Sequence, residues 1–218
     1  MSQLFRPSMN IIAKVSLLAI VLLPTGLAGL AYVFVRSPYM TEVGLPQEQP
    51  VPYSHQQHVG GLGLDCRYCH SFVEETDFAG IPPTETCMGC HAQVSAESPV
   101  LGSVRASLQN NQSLEWIRVH SLADYVYFNH SIHINKGIGC ETCHGRVDQM
   151  PVVAKAEPLS MEWCLACHRA PERFVRPLDE IFTMGWEPSI DQATLGPQLV
   201  AQYGIVVDQL TDCSICHR

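Results

Sequence analysis

The apolar positions of this chain are concentrated in one long run near the N-terminus. Every residue from Val15 to Val35 is uncharged, and Lys14 and Arg36 border the run. In a helix these residues span about 30 Å, the thickness of the hydrocarbon core of a bilayer. The pattern therefore predicts an N-terminal transmembrane anchor within residues 1–36, and a membrane helix tolerates Pro24 with a kink.

A cleaved signal peptide is the alternative for the same segment. Gly26-Leu27-Ala28 follows Pro24 and resembles a cleavage site. The apolar run nevertheless continues as far as Val35, which favours a retained anchor. The basic residues that flank the run do not decide its orientation.

Proline dominates the segment that follows the anchor. Its four prolines are Pro38, Pro46, Pro50 and Pro52. They predict an extended linker over residues 37–52. Further along the chain, we predict a short helix near Ser113–His120 and another around Asp191–Tyr203.

The composition describes a loop-rich, acidic chain with many cysteines. The 218 residues include 15 Gly, 15 Pro and only 16% charged residues, and the formal net charge is −8. We expect no binding to nucleic acid at this charge. In an exported protein, ten cysteines would ordinarily suggest five disulfides. Their spacing has to decide between disulfides and metal or cofactor chemistry.

The cysteines form five C-x-x-C pairs, and a histidine follows each pair directly. In chain order, these cassettes 1 to 5 are Cys66-Cys69-His70, Cys87-Cys90-His91, Cys140-Cys143-His144, Cys164-Cys167-His168 and Cys213-Cys216-His217. Two thiols at this spacing can form thioether bonds to the two vinyl groups of one haem. The adjacent imidazole then reaches the iron as its proximal ligand. The pattern predicts five covalently bound haems c.

Other uses of cysteine explain the pattern less well. A zinc site would combine two C-x-x-C pairs, and five is an odd number. Thioredoxin-like pairs need a βαβ context that is absent here, and disulfides would leave the adjacent histidines without a role. Haem c is attached on the outer side of the bacterial inner membrane. We therefore expect a single-pass inner-membrane protein with residues 37–218 in the periplasm.

Five further histidines are candidates for the distal iron ligands: His55, His58, His120, His130 and His133. All except His120 belong to a repeated aromatic-x-H-x-x-H element that begins at Tyr53 and again at Phe128. The second copies of the two histidines and of the two cassettes that follow lie 75, 75, 74 and 77 residues after the first copies. These offsets indicate an internal duplication.

The duplication defines the predicted domain organisation. Residues 53–98 form a first two-haem module and residues 127–177 form a second. Residues 99–126 link the modules, and residues 178–218 carry the fifth haem. We expect mainly short α-helices and loops, because haems largely replace the apolar core, which would otherwise be thin for this length.

The repeated element resembles the F-x-H-x-x-H element of the small class III multihaem cytochromes. Histidines at i and i+3 lie on neighbouring faces of one helical turn. In that family one of them serves the local haem and the other a haem packed beside it. The resemblance implies that His55 ligates the haem of cassette 1 and His130 that of cassette 3, while His58 and His133 reach other haems.

His120 is the less secure distal ligand, because it lies on the link between the modules. The alternative is a histidine at the surface or at an interface. In that case a methionine would complete one site, the candidates being Met150, Met161, Met184 and Met88. A methionine ligand would raise the potential of that haem, although packing is the commoner role of methionine.

Arginine is frequent just after the cassettes. Arg146, Arg169, Arg173 and Arg176 are candidates to pair with haem propionates. An ordinary solvated basic face is the alternative.

Four stretches resemble the pentahaem cytochrome c subunit of alternative complex III. They are AGIPPTETCM at 79–88, YFNHSIH at 127–133, MEWC at 161–164 and DCSICHR at 212–218. The resemblance covers essentially the whole chain and implies a subunit of a quinol:acceptor oxidoreductase that passes electrons to a periplasmic acceptor. Its implied partners are a polytopic quinol-binding subunit, an iron–sulfur subunit, monohaem cytochromes and membrane lipid.

Haems with two protein ligands have no open position for a substrate, so we expect an electron-transfer subunit without an active site of its own. Two other functions compete with this one. A stand-alone membrane-anchored quinol dehydrogenase would need an open or weakly ligated haem near residue 50. A multihaem reductase would need a five-coordinate haem with polar catalytic residues above it.

Overall fold

A computed structural model describes residues 6–217, so residues 1–5 of the predicted anchor and Arg218 lie outside it. The described part contains helices and loops and no β-strand. The α-helices are α1 (Ser8–Val35), α2 (Pro38–Thr41), α3 (Cys66–Cys69), α4 (Thr84–His91), α5 (Gly102–Asn110), α6 (His130–Asn135), α7 (Glu141–His144), α8 (Met161–Arg169), α9 (Gln192–Gln202) and α10 (Cys213–Cys216). A π-helical turn spans Gln56–Gly61, and 3₁₀ turns span Pro99–Leu101, Val147–Gln149, Pro171–Arg173, Leu178–Glu180 and Val207–Gln209. The predicted fold class is confirmed.

The N-terminal unit, residues 1–43, consists of α1 and α2. Helix α1 continues through Pro24 and has no buried residue. Its 28 residues are long and apolar enough to cross a membrane. A membrane anchor and a signal sequence both fit this helix. The linker is not extended throughout as predicted, because Pro38 starts the single helical turn of α2.

In the second unit, residues 44–218, the described residues form three small apolar clusters instead of one core. The first contains Val51, Leu101 and Val104, the second Val73, Ile134 and Ile181, and the third Ile138, Val175 and Leu199. Each cluster packs against a cassette cysteine, namely Cys87, Cys140 and Cys167 in that order. The apolar contacts are therefore distributed along the cassettes.

Polar caps start several of the short helices. The Asp65 carboxylate accepts a hydrogen bond from the Arg67 backbone N–H at the start of α3. The Asn129 side chain caps α6 and the Ser160 hydroxyl caps α8 in the same way. Because each cap satisfies a backbone donor that the first helical turn leaves free, it fixes where the following histidine or cassette begins.

The two predicted helices have different outcomes. Helix α9, Gln192–Gln202, confirms the prediction around Asp191–Tyr203. The prediction of a helix near Ser113–His120 is wrong, because residues 113–120 are not helical. The Gln49 side chain holds this segment by donating to the Ile117 carbonyl and accepting from the Ile117 N–H, both at 2.9 Å.

The two histidine elements are held by reciprocal contacts. In the second element, the Ser131 N–H donates to the Thr76 carbonyl at 3.1 Å, just after cassette 1. In the first element, the Gln56 N–H donates to the Met150 carbonyl at 3.1 Å, just after cassette 3. Gln56 and Ser131 occupy equivalent positions of the repeat. The segment that follows cassette 1 therefore binds the histidine element of the second module, and the segment that follows cassette 3 binds the histidine element of the first module.

Candidate haem-binding sites

The five cassettes lie on short helical turns with their cysteines partly accessible. Helices α3 and α10 consist of one C-x-x-C turn each, and α4, α7 and α8 carry the other pairs or their C-terminal parts. Cys90 and Cys213 are exposed, and the other eight cysteines are of intermediate exposure. All ten cysteines are free thiols in the structure, without a disulfide between them. Every pair is therefore available for thioether attachment.

Backbone carbonyls orient the cassette histidines. Four of these rings contact a carbonyl oxygen through Nδ1, in the pairs His70–Gly80 at 2.7 Å, His91–Val94 at 2.9 Å, His168–Leu210 at 2.8 Å and His217–Tyr125 at 3.2 Å. Because a carbonyl only accepts, Nδ1 carries the proton and Nε2 keeps its lone pair for a metal. Histidines outside the cassettes show the same contact, in the pairs His58–Ser54, His130–Asp77 and His133–Asn129.

The structure places three of the spare histidines opposite cassette histidines. The ring centroids are 6.1 Å apart for His58 and His91, 6.4 Å for His130 and His144, and 6.1 Å for His133 and His168. Two imidazoles on opposite sides of one metal, each bonded at about 2 Å, have their centroids roughly 6 Å apart. These three spacings fit one iron between each pair.

The first histidine element has the same internal geometry as the second. Tyr53 lies 4.8 Å from His55, edge to face, and 4.5 Å from His58, stacked. Phe128 lies at 4.8 and 4.5 Å from the two equivalent histidines. Burial, together with the nearby His70, lowers the pKa of His55 to about 4.

His120 lies beside cassette 3. Its ring centroid is 4.3 Å from that of His144, and its Nε2 is buried without a hydrogen-bond partner among the described residues. Burial, and then the charge of Lys155, lowers the pKa of His120 to about 4. The structure therefore gives His120 a neutral imidazole inside the haem region, although no contact pairs it with the histidine of cassette 5.

The candidate methionines occupy different surroundings. Met150 lies against Gly145, directly after cassette 3. Met161 starts α8 with 65% of its surface exposed. Met184 lines a shallow surface pocket with Arg67 and Phe182. Met88 packs against the first apolar cluster.

Burial keeps the ligand region uncharged. It lowers the pKa of His144 to about 3 and raises that of Cys143 to about 12, and it raises the pKa of Cys167 to about 11. Neutral imidazole is the form that binds a metal, and a thioether carries no charge. The donor set and its surroundings therefore fit covalently bound haem.

A buried ion pair supports cassette 3. The Arg176 guanidinium donates to Glu141 Oε1 at 2.8 Å, and the Gly185 N–H donates to Glu141 Oε2 at 2.6 Å. Arg146 pairs with Asp148 at 2.6 Å. Two of the four arginines considered for propionates thus have carboxylate partners within the protein.

Sequence reasoning did not find the carbonyls that hold the histidine rings. Gly80, Val94, Tyr125 and Leu210 contribute only backbone atoms to these contacts. A backbone carbonyl leaves no signal in the residue type, so only the folded chain reveals these partners.

The C-terminal part of the chain matches a known family. Residues 126–218, which include cassettes 3 to 5, match the family of cytochrome c7 and related cytochrome c. This part of the chain is a multihaem cytochrome c domain. Haem c is therefore the cofactor that its C-x-x-C-H cassettes imply. The family match does not extend to cassettes 1 and 2, which show the same sequence pattern.

A relative in Nitratidesulfovibrio vulgaris (strain Hildenborough) is the "Menaquinone reductase, multiheme cytochrome c subunit". It is 34% identical to this chain over 99 residues, which cover 45% of this chain and 46% of the relative. The match thus spans about half the length of the curated relative. Both comparisons agree on a multihaem cytochrome c.

Proposed function

We propose that this chain is an electron-transfer subunit with five covalently bound haems c, one on each cassette. It relays electrons from a membrane quinol-oxidising complex to a periplasmic acceptor. Bound haem supplies reversible one-electron chemistry at iron. The cassette histidines and the histidines that face them would hold the iron, and the burial of His144 and its neighbours would keep the ligands uncharged.

The distal ligands follow from the ring geometry. We assign His58 to cassette 2, His130 to cassette 3 and His133 to cassette 4, since each lies about 6 Å from the histidine of that cassette. His55 serves cassette 1, because it occupies the position of His130 in the repeat and cassette 1 occupies that of cassette 3. His120, whose Nε2 is buried without a partner beside cassette 3, is the remaining candidate for a distal ligand, and its contacts assign it to no cassette.

The observation that carries this proposal is the set of three opposed histidine pairs. Five of their six rings, those of His58, His91, His130, His133 and His168, have Nδ1 bonded to a backbone carbonyl. Zinc-binding or disulfide-forming cysteines would not require imidazoles facing each other across about 6 Å. Filled axial positions favour electron transfer over chemistry on a bound substrate.

The haem content tests the proposal directly. The purified chain should weigh five haems more than its polypeptide and show the absorbance of ferrous low-spin haem after reduction. The double variant Cys213→Ser/Cys216→Ser should lose one haem and keep four. A mass equal to that of the bare polypeptide would contradict the proposal.

The proposed location and partners rest on the apolar helix and on the sequence resemblance. Helix α1 would anchor the chain in the bacterial inner membrane, with the cassettes in the periplasm where haem c is attached. The resemblance to the pentahaem subunit of alternative complex III suggests polytopic, iron–sulfur and monohaem partners. Isolation in mild detergent followed by mass spectrometry tests this, and a chain that purifies alone would contradict it.

The relative's name favours a second candidate function, in which the quinone is reduced and not oxidised. A menaquinone reductase delivers electrons to the quinone, so the chain would carry electrons towards the membrane. Stopped-flow spectroscopy of the isolated complex separates the two candidates. Rapid haem reduction by added quinol supports the first, whereas rapid haem oxidation by added menaquinone analogue supports the second.

A further inference from the structure

The spatial order of the cassettes differs from their order in the sequence. We infer that the five haem sites form a single row in the order 2–1–3–4–5, so that cassettes 2 and 5 are its ends and the two sites of electron exchange with partner proteins. This inference rests on the haem-binding function proposed above. Four contacts between cassettes carry it, one for each step of the row.

The first step joins cassettes 2 and 1. Tyr68 of cassette 1 lies beside Gly89 of cassette 2, since a Cβ added at Gly89 would meet the Tyr68 hydroxyl at 3.9 Å. The Tyr53 element serves cassette 2 through His58, which faces His91, and by the repeat its His55 serves cassette 1. The Tyr53 ring touches both histidines of the element, at 4.8 and 4.5 Å. Ligands three residues apart on one turn require their two metals to be neighbours.

The central step joins cassettes 1 and 3. Val73, just after cassette 1, shares an apolar cluster with Ile134, and Cys140 packs against that cluster. The reciprocal backbone contacts between the modules also come from the segments that follow these two cassettes. The duplicated halves therefore meet through cassettes 1 and 3.

The third step joins cassettes 3 and 4. His130 faces His144 of cassette 3 at 6.4 Å, and His133 faces His168 of cassette 4 at 6.1 Å. Both spare histidines stand on α6, three residues apart. One helical turn therefore serves both sites, in the same manner as the Tyr53 element serves cassettes 1 and 2.

The last step joins cassettes 4 and 5. The His168 ring of cassette 4 donates from Nδ1 to the carbonyl of Leu210, three residues before Cys213. Helix α8, which carries cassette 4, also contacts the 3₁₀ turn Val207–Gln209, which lies just before cassette 5. Cassette 5 therefore extends the row on the side of cassette 4.

Exposure identifies the same two ends independently. Cys90 of cassette 2 and Cys213 of cassette 5 are the two exposed cysteines among the ten. Since a partner must bring its redox centre close to a haem edge, the accessible cassettes are the sites of exchange. An end site has one neighbouring haem, whereas an interior site has two.

The number of neighbouring haems, one at an end site and two at an interior site, can be tested with a matched pair of variants. His58 and His133 are equivalent in the repeat, with a stacked aromatic ring at 4.5 Å and Nδ1 bonded to the carbonyl four residues earlier. In His58→Met or His133→Met, one haem gains a higher potential and is reduced first. The extra electron then lowers the potential of each adjacent haem.

The readout is a redox titration of the full haem-loaded chain, followed by electron paramagnetic resonance of each ferric haem. His58→Met should shift one other haem, and His133→Met should shift two. Two shifted neighbours for His58→Met, or one for His133→Met, would overturn the row. The mass of each variant shows separately whether all five haems are present, so a failure of haem binding is distinguishable from a wrong order.

A second measurement uses the unmodified chain and therefore does not depend on the folding of the variants. A soluble gadolinium complex should enhance the magnetic relaxation of two haems strongly and of three haems weakly. Uniform enhancement of all five, or strong enhancement of an interior haem identified by its shifted titration, would contradict the assignment of the ends.

Discussion

The pair formed by Glu141 and Arg176 shows how a single carboxylate stabilises a cassette. Glu141 lies between the cysteines of cassette 3, and both of its oxygens accept hydrogen bonds. The side chains are 14% and 6% exposed. Removing one charge of such a pair leaves the other buried and uncompensated.

We expect Glu141→Gln to lower the free energy of unfolding by about 3 kcal/mol. Denaturant titration of the haem-loaded chain in detergent, followed by circular dichroism, measures the change. Glu74→Gln is the matched control, because Glu74 contacts Arg67 at 3.7 Å with both side chains about half exposed. The control should change stability by less than about 1 kcal/mol. Equal losses for both variants would contradict a special role of the buried pair.

His120 offers a second test of an individual side chain. If its Nε2 completes a haem, His120→Phe should convert one low-spin haem into a high-spin haem, visible by electron paramagnetic resonance. The phenyl ring preserves packing against His144 but provides no ligand atom. A chain in which every haem stays low-spin would assign His120 to packing instead.

The sequence predicted which residues form the sites better than it predicted which of these residues face or bind each other. The C-x-x-C-H pattern identifies attached haem because its spacing is local and follows from bond geometry. The pairing of His58 with His91 and of His133 with His168 was left open, because it depends on how distant segments pack. Similarly, Leu210 and Gly80 act only through their backbone carbonyls.

The π-helical turn that contains His58 approaches a segment of the second module closely at one glycine. A Cβ added at Gly60 would lie only 2.3 Å from the Asp148 carbonyl oxygen, whereas one at Gly61 would meet its nearest atom, the Gln56 carbonyl oxygen, at 3.7 Å. Both glycines belong to the π-helical turn Gln56–Gly61. They therefore form a matched pair for testing the contact between the modules.

Gly60→Ala should lower the free energy of unfolding by about 1–3 kcal/mol, because the backbone of Asp148 must move. Gly61→Ala should change it by less than about 1 kcal/mol. Thermal unfolding of the two haem-loaded variants measures the difference. Gly60→Ala with the stability of the parent chain would contradict the tight contact.

Helix boundaries were predictable where local signals agree. Asp191 caps α9, and the predicted helix around it formed. Residues 113–120 did not become helical, because the distant Gln49 side chain pairs with the Ile117 backbone. The single turn of α2 was also missed, since a run of prolines is compatible with both an extended chain and a helix start.

Helix α1 leads to a prediction about the chain as a whole. If it is a retained anchor, the chain should remain with the membrane after alkaline carbonate washing. A chain whose residues 1–36 are replaced by a cleavable export signal should be released as a soluble haem protein. Mass spectrometry of the mature N-terminus provides the control. A start just after Ala28 would show that the segment is a cleaved signal.

The reciprocal contacts between the modules also determine the order in which the protein can mature. Residues leave the export channel in chain order, so cassettes 1 and 2 emerge long before the segment around Met150 that holds Gln56. Until that segment arrives, the first histidine element lacks the hydrogen bond from the Gln56 N–H to the Met150 carbonyl. In this scheme haem is tethered to the early cysteines first, and final ligation of these cofactors waits for the later half of the polypeptide.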